Sequence, residues 1–398
     1  MSRKGRPLEK FILLLIVAAL GFAGGTARLR PEPASAPDYS VMFDHVEPPE
    51  NPPVFYTSEP VPVTPAETEP MQEAAPAPTP TPTPTPAPEY YTLHFVGDCT
   101  LASAVGFQGG ANGYDTITGG DFSYPFAKTR EYFADDDFTM ANCECCLTAS
   151  TAATAKTFTF KTSADYAKVF PEGSVEFVTL ANNHVLDYGQ TGYDDTKAAL
   201  DAVGVAYAGR DEWTVYETER GLRIGIYAVS FGTVEQIKKG IAAVQDAGAD
   251  FIIAALHFGD EGSYQINADQ RAQAHAAVDA GADFVYGSHA HTLQPSEEYQ
   301  GKYIYYSMGN WTFGGNTNPR DKDTFFLRLT VERTADGVCT VTEREEIPCA
   351  SSGVTAYNNY QPVTYAPDSE EYQRVLSKLD GSFTGANLSI GYGYTANE

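Results

Sequence analysis

The chain has 398 residues, with 52 acidic residues against 26 basic ones and a formal net charge of −26 at pH 7. A surface with this charge repels phosphate backbones, so the composition argues against nucleic acid as a partner. The length exceeds that of a typical single domain, but the composition of the N-terminal portion cannot supply a core.

Residues 1–30 have the pattern of a signal peptide or a signal anchor, because basic residues precede an apolar run over 11–27. The run is close to the lower limit of about 17 residues for a membrane-spanning helix, and small residues at 25–27 offer a cleavage site. The basic residues predict a cytoplasmic N-terminus and an extracytoplasmic remainder. We expect a membrane anchor, or a secreted protein if the segment is cleaved. The basic residues are Arg3, Lys4, Arg6 and Lys10.

Residues 31–89 are rich in proline and end in a Pro-Thr and Pro-Ala alternation over 76–88. Such a sequence cannot bury a core, and proline favours extended polyproline geometry. We expect a disordered, semi-rigid stalk that holds the following domain away from the membrane.

Residues 90–365 are predicted to form one α/β domain. Apolar, β-rich runs alternate with helical patterns that end at glycine, which predicts a parallel sheet with buried strands. The runs lie at 92–97, 174–181, 223–230, 250–256 and 283–287, and the clearest helical patterns at 191–204 and 268–281.

The C-terminal part has a different pattern from the alternating part. Strands are predicted over 302–313 and 324–347, the second as a hairpin that turns at Asp336-Gly337. A second, partly antiparallel sheet would follow. Residues 366–398 are predicted to be a tail with one short helix.

Polar residues are concentrated where the predicted strands end. Ligands bind beyond the carboxyl ends of parallel strands, so we expect these side chains to meet. A lone histidine after a strand is more often a hydrogen-bonded loop residue, but four of the seven histidines occur at such positions. Two of them, His257 and His289, end near-duplicate segments at 246–257 and 279–289. The complete set is Asp98, Glu144, Asn183, His184, His257, His289 and His291.

Nitrogen and oxygen ligands of this kind suit Mn²⁺, Fe or Zn²⁺. The His289-x-His291 pair cannot easily direct both imidazoles at one small ion together with ligands from other strands. Two ions that share a carboxylate would relieve the crowding. The sequence therefore predicts one or two divalent metal ions.

Six cysteines in an exported chain permit disulfides. A zinc-thiolate site is the alternative, but the CxCC sequence at 143–146 lacks the paired CxxC spacing of structural zinc sites. Cys339 and Cys349 flank a predicted C-terminal strand, whereas Cys99, Cys143, Cys145 and Cys146 lie beside the predicted metal ligands.

At these residues the sequence resembles the CapA-type bacterial capsule-synthesis proteins, which are associated with poly-γ-glutamate and belong to the calcineurin-like metallophosphoesterase superfamily. The similarity extends from Thr92 to Phe313. It is carried by GDCT (97–100), NCECCLT (142–148), LANNHVLDYG (180–189), LHFGDE (256–261), GSHAHTLQP (287–295) and YYSMGNWTF (305–313).

The resemblance implies a sandwich of two mixed sheets flanked by helices, and it implies a role for each site residue. His184 would not be a ligand; it would stabilise the transition state or protonate the leaving oxygen. One ion would be held by Asp98, Glu144 and His291, and the other by Glu144, Asn183, His257 and His289.

Thr100 departs from the Asp-x-His sequence that metallophosphoesterases usually have in the first motif, so the first ion loses one of its usual histidine ligands and keeps His291. Three interpretations of the function stay open. The first is a metal-dependent hydrolase that acts on a phosphoester or a cell-surface polymer. The second is a non-catalytic component of capsule or wall assembly beside a membrane synthase or exporter, and the third is a surface domain with a vestigial site.

Several further residues have expected roles around this set. Glu261 is expected to bind a metal, to orient His257 or to cap a helix. Asp187, Tyr188 and Gly189 are expected to shape the loop that presents His184, Asn310 to line the pocket rim, and His45, His94 and His275 to be structural or solvent-facing.

Overall fold

The structure is a computed structural model and describes residues 86–388. The predicted signal or anchor segment, nearly all of the stalk, and His45 lie outside these residues. Within residues 86–388, no helix is long and apolar enough to cross a bilayer.

The described residues form sixteen strands. These are β1 (Glu89–Thr100), β2 (Phe138–Cys143), β3 (Cys146–Leu147), β4 (Lys161–Thr162), β5 (Phe177–Thr179), β6 (Ala206–Ala208), β7 (Glu212–Glu217), β8 (Arg223–Ser230), β9 (Phe251–His257), β10 (Phe284–Ser288), β11 (Ser296–Tyr299), β12 (Lys302–Tyr305), β13 (Asn310–Phe313), β14 (Asp323–Arg333), β15 (Cys339–Ala350) and β16 (Val363–Thr364).

Seven α-helices accompany them in the same part of the chain. These are α1 (Tyr114–Thr118), α2 (Arg130–Phe133), α3 (Val169–Glu172), α4 (Gly189–Val203), α5 (Val234–Asp246), α6 (Ala268–Asp279) and α7 (Glu370–Leu379). Short 3-10 helices occur at Tyr124–Phe126 and Ala164–Lys168.

The strands form two large sheets. The first has the order β16-β15-β14-β1-β2-β5-β6, with β13 also paired to β1, and the second has the order β11-β12-β10-β9-β8-β7. The first sheet has a parallel half, from β1 to β6, and an antiparallel half, from β14 to β16. The second sheet has a parallel centre with an antiparallel strand at each edge. The predicted pair of mixed sheets flanked by helices is therefore confirmed.

Alternate residues of each strand point to opposite faces of its sheet, so each sheet has an inner and an outer face. The two sheets pack against each other through their inner faces. Ile224 and Ile226 of β8 join Phe95 of β1 in one core between the sheets. Tyr227 and Val229, the alternating residues of β8, pack with α5 and α6 on the outer face. A third core lies on the outer face of the first sheet. The result is four layers with helices outside.

The prediction that the alternating strands share one parallel sheet is wrong. β1 and β5 belong to the first sheet, whereas β8, β9 and β10 belong to the second. The C-terminal strands are also divided, since β12 joins the second sheet and β13 to β16 join the first. The central strands of both sheets are mostly apolar because both of their faces are buried, so their pattern does not tell one sheet from the other.

The C-terminal hairpin is present, with β14 and β15 antiparallel. The tail contains α7, whose Val375 and Leu379 are buried in the core between the sheets. Asp323 and Asp321 bind Lys378 of this helix through contacts of 2.7 Å and 2.6 Å. All six cysteines are buried free thiols, and Cys339 and Cys349 both lie within β15.

Candidate metal site

The candidate site forms where parallel strands of both sheets end. In the first sheet, Asp98 of β1 is in register with Asn142 of β2 and with Asn310 of β13. In the second sheet, His257 of β9 is in register with Ser288 of β10. The strand ends therefore place one group of polar side chains from each sheet at the same end of the sandwich.

Asp98 and Glu144 are fully buried and are connected through Asn142. The Asn142 amide donates to Asp98 Oδ1 at 2.8 Å and to Glu144 Oε2 at 3.4 Å. The Asn182 side-chain amide donates to the side-chain oxygen of Asn142 at 3.1 Å and to the backbone oxygen of Cys143 at 2.8 Å. This network orients one oxygen of each carboxylate, and the other oxygen of each is directed towards the histidines.

Three buried atoms of the cluster have no hydrogen-bond partner within the described residues. They are Asp98 Oδ2, Glu144 Oε1 and His289 Nδ1. Buried polar atoms are rarely left without a partner, because losing hydration costs about 1 to 3 kcal/mol each. Ligand atoms of Glu144, His289 and His291 lie within 4.8 Å of one another. The donor set and the unpaired atoms fit a divalent cation.

His257 is held from both sides of its ring. Its Nδ1 lies 2.8 Å from the Ser288 hydroxyl, and its Nε2 lies 2.9 Å from the Asn183 side-chain oxygen and 3.7 Å from Glu144 Oε1. A tautomer with the proton on Nδ1 donates to Ser288 and directs the Nε2 lone pair towards Glu144 and Asn183. His257 and Asn183 are thus placed to bind the same cation.

His289 and His291 lie on a loop with unusual backbone conformation, with φ of 96° and 56° respectively. The His289 ring lies 4.7 Å from the His257 ring, centroid to centroid. Nδ1 of His291 lies 2.9 Å from the Asn310 side-chain oxygen and 3.2 Å from Asp98 Oδ2, while its Nε2 lies 3.9 Å from Glu144 Oε1. Positive φ at two non-glycine residues is costly, and such strain clusters at functional sites.

The electrostatics divide the histidines into two kinds. Burial lowers the pKa of His257 well below its usual range and that of His289 to about 3, with the neighbouring histidines adding to the effect. Burial also opposes charge on His291, but Glu144 and Asp98 outweigh it and raise the pKa of His291 to about 10. At neutral pH, His257 and His289 therefore keep lone pairs available for a cation.

The environment of the site also shifts the pKa of Glu144. Burial, and next the charge of Asp98, raise the pKa of Glu144 well above its usual range, although His291 opposes this. Two carboxylates in so dry a site repel each other unless a positive charge lies between them. In the described residues that charge comes from His291.

His184 lies beside the cluster and is oriented by Asp187. Its Nδ1 is 2.8 Å from Asp187 Oδ2, which also accepts the backbone N–H of Phe160 at 2.8 Å. Lys156 forms an ion pair of 2.8 Å with the other oxygen of Asp187. The Phe160 ring meets His184 edge-on at 4.6 Å. Asp187 is fully buried, so it fixes both the ring and the loop.

Two glycines allow β1 and the segment before β13 to approach closely. A Cβ on Gly97 would lie 2.0 Å from the backbone oxygen of Gly309, and Gly309 has φ of +67°. The same oxygen accepts the N–H of Asp98 at 2.8 Å. This contact sets the position of Asp98 relative to Asn310.

Glu261 does not have two of the roles expected of it. The N-cap of α6 is Asn267, which forms a capping box with Gln270. Both ring nitrogens of His257 are directed at Ser288 and Asn183 instead. Glu261 lines a cavity next to the cluster, together with His184, His291 and Asn310.

The structure brings together all seven predicted residues, and it adds others that the sequence did not single out. Asn142, Asn182 and Ser288 orient the predicted ligands. Phe231, which is 54% exposed and has φ of 49°, places its ring 4.8 Å from that of His289. Only the NCE and ANNH sequences hinted at the two asparagines. His94 and His275 bind Asp136 and Glu297 away from the cluster.

Comparison with protein families places this site in context. The model of the family described as "Bacterial capsule synthesis protein PGA_cap" matches residues 92–315, more than half of the chain, and this range contains every site residue described above. The chain therefore belongs to this family, and the resemblance seen in the sequence motifs is confirmed.

Curated relatives agree with the family assignment. The chain is 30% identical over 257 residues to the PGA biosynthesis protein CapA of Bacillus subtilis (strain 168), covering 57% of this chain and 64% of that protein. It is 29% identical over 240 residues to the capsule biosynthesis protein CapA of Bacillus anthracis, covering 53% and 55%. The matches thus span less than two thirds of these relatives.

Solved structures are more distant. The protein TT1561 of Thermus thermophilus aligns with a TM-score of 0.37 and 7% identity, covering 65% of this chain and 99% of that chain. A purple acid phosphatase, PPD1, from yellow lupin seeds aligns with a TM-score of 0.32 and 13% identity, covering 66% and 55%. These scores are too low to support an argument about function.

Proposed function

We propose that this protein is an extracytoplasmic, metal-dependent hydrolase that acts in the assembly of capsule, poly-γ-glutamate or another cell-wall polymer. The observation that carries the proposal is the set of three buried atoms without a hydrogen bond, one each on Asp98, Glu144 and His289. Family membership supports the pathway, because the two Bacillus relatives are named for the biosynthesis of PGA and capsule.

The residues that would hold the metal come from the ends of both sheets. A divalent cation there would supply Lewis-acid chemistry and neutralise developing negative charge. Neutral His257 and His289 offer lone pairs, and Glu144 Oε1 lies between Nε2 of His257 and Nε2 of His291. The full set is Asp98, Glu144, Asn183, His257, His289 and His291. Mn²⁺, Fe and Zn²⁺ all suit these donors.

His184 has the geometry of a general acid. Asp187 holds its Nδ1 at 2.8 Å, which fixes the tautomer with the proton on that atom when the ring is neutral. The ring lines the cavity beside the cluster. In its protonated form His184 can give the Nε2 proton to a leaving oxygen, while Asp187 keeps the ring in position.

The proposal is tested with the purified protein by metal analysis and by a panel of aryl phosphate, phosphodiester and peptide substrates. We expect bound metal and turnover that is lost in chelator and restored by metal. His289→Ala should abolish this turnover, whereas His275→Ala, at a surface histidine stacked on Tyr299, should not. Unchanged turnover in His289→Ala would refute the site assignment.

A second function, a non-catalytic component beside a membrane synthase or exporter, is favoured by one observation. Thr100 stands where the first motif usually has histidine, and its hydroxyl donates to the backbone oxygen of Glu144 at 3.3 Å. The first motif therefore contributes no imidazole to the cluster. Metal-free protein that binds anionic polymer equally well in chelator would support this function over hydrolysis.

The location outside the cytoplasmic membrane is part of the proposal and depends on residues 1–30. The basic residues and the apolar run support export, and the proline-rich segment after them suits a stalk. Protease treatment of intact cells should degrade the domain if it is exported and anchored. Protection of the domain together with a cytoplasmic marker would contradict export.

A further inference from the structure

We propose that the cavity beside the ion cluster is a subsite for a partly apolar, anionic group of the substrate, and that Arg320 is its anion-binding residue. The proposal deepens the function proposed above and rests on it for identifying the ligand as a substrate. The subsite itself rests on the shape and charge of the cavity.

The cavity has an aromatic wall and is open to the candidate catalytic residues. Phe313 packs against the His291 ring at 4.6 Å, just as Phe160 packs against His184. A ligand on these rings therefore contacts the site histidines. Phe158 extends the same wall, and the charged residues Glu261, Arg320 and Asp321 also line the cavity.

Arg320 contributes an uncompensated positive charge. The side chain is exposed and has no hydrogen-bond or ion-pair partner among residues 86–388. The adjacent carboxylate, Asp321, is already bound to Lys378 Nζ at 2.6 Å and to the Tyr264 hydroxyl at 2.6 Å. In a chain with a net charge of −26, a free arginine on a cavity wall is an attractive site for an anion.

The opposite charge in the cavity belongs to Glu261. This carboxylate lines the cavity together with His291, at the end where the cluster lies. The cavity therefore has a negative end at the cluster, where a cation is expected, and a positive end at Arg320. A ligand with an anionic group remote from the reacting bond matches this polarity.

The chemistry of the two surfaces defines the ligand class. A guanidinium binds a carboxylate or a phosphate through two parallel hydrogen bonds. The faces of Phe158, Phe160 and Phe313 pack against an apolar or flat body. Carboxylate and phosphate are therefore the two forms of the anionic group to be distinguished.

The test measures binding to the full chain in chelator, so that no metal contributes. Phenylacetate and phenylphosphonate serve as the anionic probes, and neutral phenylacetamide as the matched control, with calorimetry as the measurement. We expect the anions to bind at least about tenfold more tightly than the amide, since charge-assisted hydrogen bonds are the stronger kind. The preferred anion identifies carboxylate or phosphate as the natural group.

Arg320→Gln should abolish the preference for anions while leaving the weak binding of phenylacetamide unchanged. Arg344→Gln removes one positive charge from an exposed position on β15, and this variant should bind like the wild type. Equal anion binding by Arg320→Gln, or no anion preference in the wild type, would overturn the proposal. Arg320-dependent binding in a protein that hydrolyses nothing would support the subsite and contradict the hydrolase.

Discussion

Oε1 of Glu144 lies 3.7 Å from Nε2 of His257, and this oxygen accepts no hydrogen bond from residues 86–388. The distance is too long for a hydrogen bond. It is close to the separation of two ligands that bind one ion at about 2.0 to 2.2 Å each. The same oxygen lies 3.9 Å from Nε2 of His291. Glu144 is therefore placed either to bridge two ions or to bind a single ion together with His257 and His291.

Glu144→Gln should remove the effect of metal on stability. In the wild type, metal at 100 times its Kd should stabilise the fold by about 2.7 kcal/mol, and the variant should lose most of this. Without metal, the variant should be at least as stable as the wild type, because it removes a buried carboxyl beside Asp98. Thermal unfolding with chelator and with added metal measures both effects. Glu345→Gln on exposed β15 is the control, and a full metal shift in Glu144→Gln would contradict the bridging role.

Metal affinity should rise with pH between about 6.5 and 10. The pKa of His291 is raised to about 10 in the fold, so metal-free protein holds this proton at neutral pH, and a cation must displace it. Each displaced proton adds up to about tenfold in affinity per pH unit. The same proton affects stability. Protonated His291 stabilises the metal-free protein below about pH 6.5, and this stabilisation is lost as the pH rises through about 10.

Competition with a metal-binding dye at several pH values measures this slope, and two matched variants assign it. His291→Asn should reduce the slope. His289→Asn should weaken binding but keep the slope, because His289, with a pKa of about 3, is already neutral over this range. Affinity that is independent of pH in the wild type would refute this assignment.

His184 should contribute to turnover without contributing to metal binding. His184→Ala should lower kcat by roughly 10² to 10⁴, the usual range for a general acid, with unchanged metal content. Asp187→Asn should lower kcat less, because the imidazole ring loses the partner at 2.8 Å that orients it. Loss of metal in His184→Ala would instead make this residue a ligand.

Gly97→Ala should destabilise the fold severely. Its Cβ would lie 2.0 Å from the oxygen of Gly309, a backbone atom that cannot move aside without breaking the contact between β1 and the segment before β13. We expect a loss of at least about 3 kcal/mol in the free energy of unfolding. Gly337→Asn, in the β14–β15 turn, is the control and should cost little, because Asn tolerates positive φ. Equal stability of both variants, measured by urea unfolding, would contradict the close approach.

The sequence predicted the α/β class, the hairpin at Asp336-Gly337 and the polar strand ends, because each depends on local pattern. His257 and His289 could be found since each follows a continuous apolar strand. The division of the strands between two sheets could not be predicted, because buried strands of either sheet look alike. Asn142 was missed because its role depends on register with Asp98, which no local pattern encodes. The division of ligands between two ions stays a prediction.

The backbone conformation of His289 and His291 has a consequence for protein engineering. Both residues have positive φ, a region in which asparagine or glycine is less strained. A screen that selects only for thermal stability should therefore enrich substitutions at these two positions. Such a screen would yield more stable variants that no longer have an ion site. Engineering for stability therefore needs a parallel selection for metal binding.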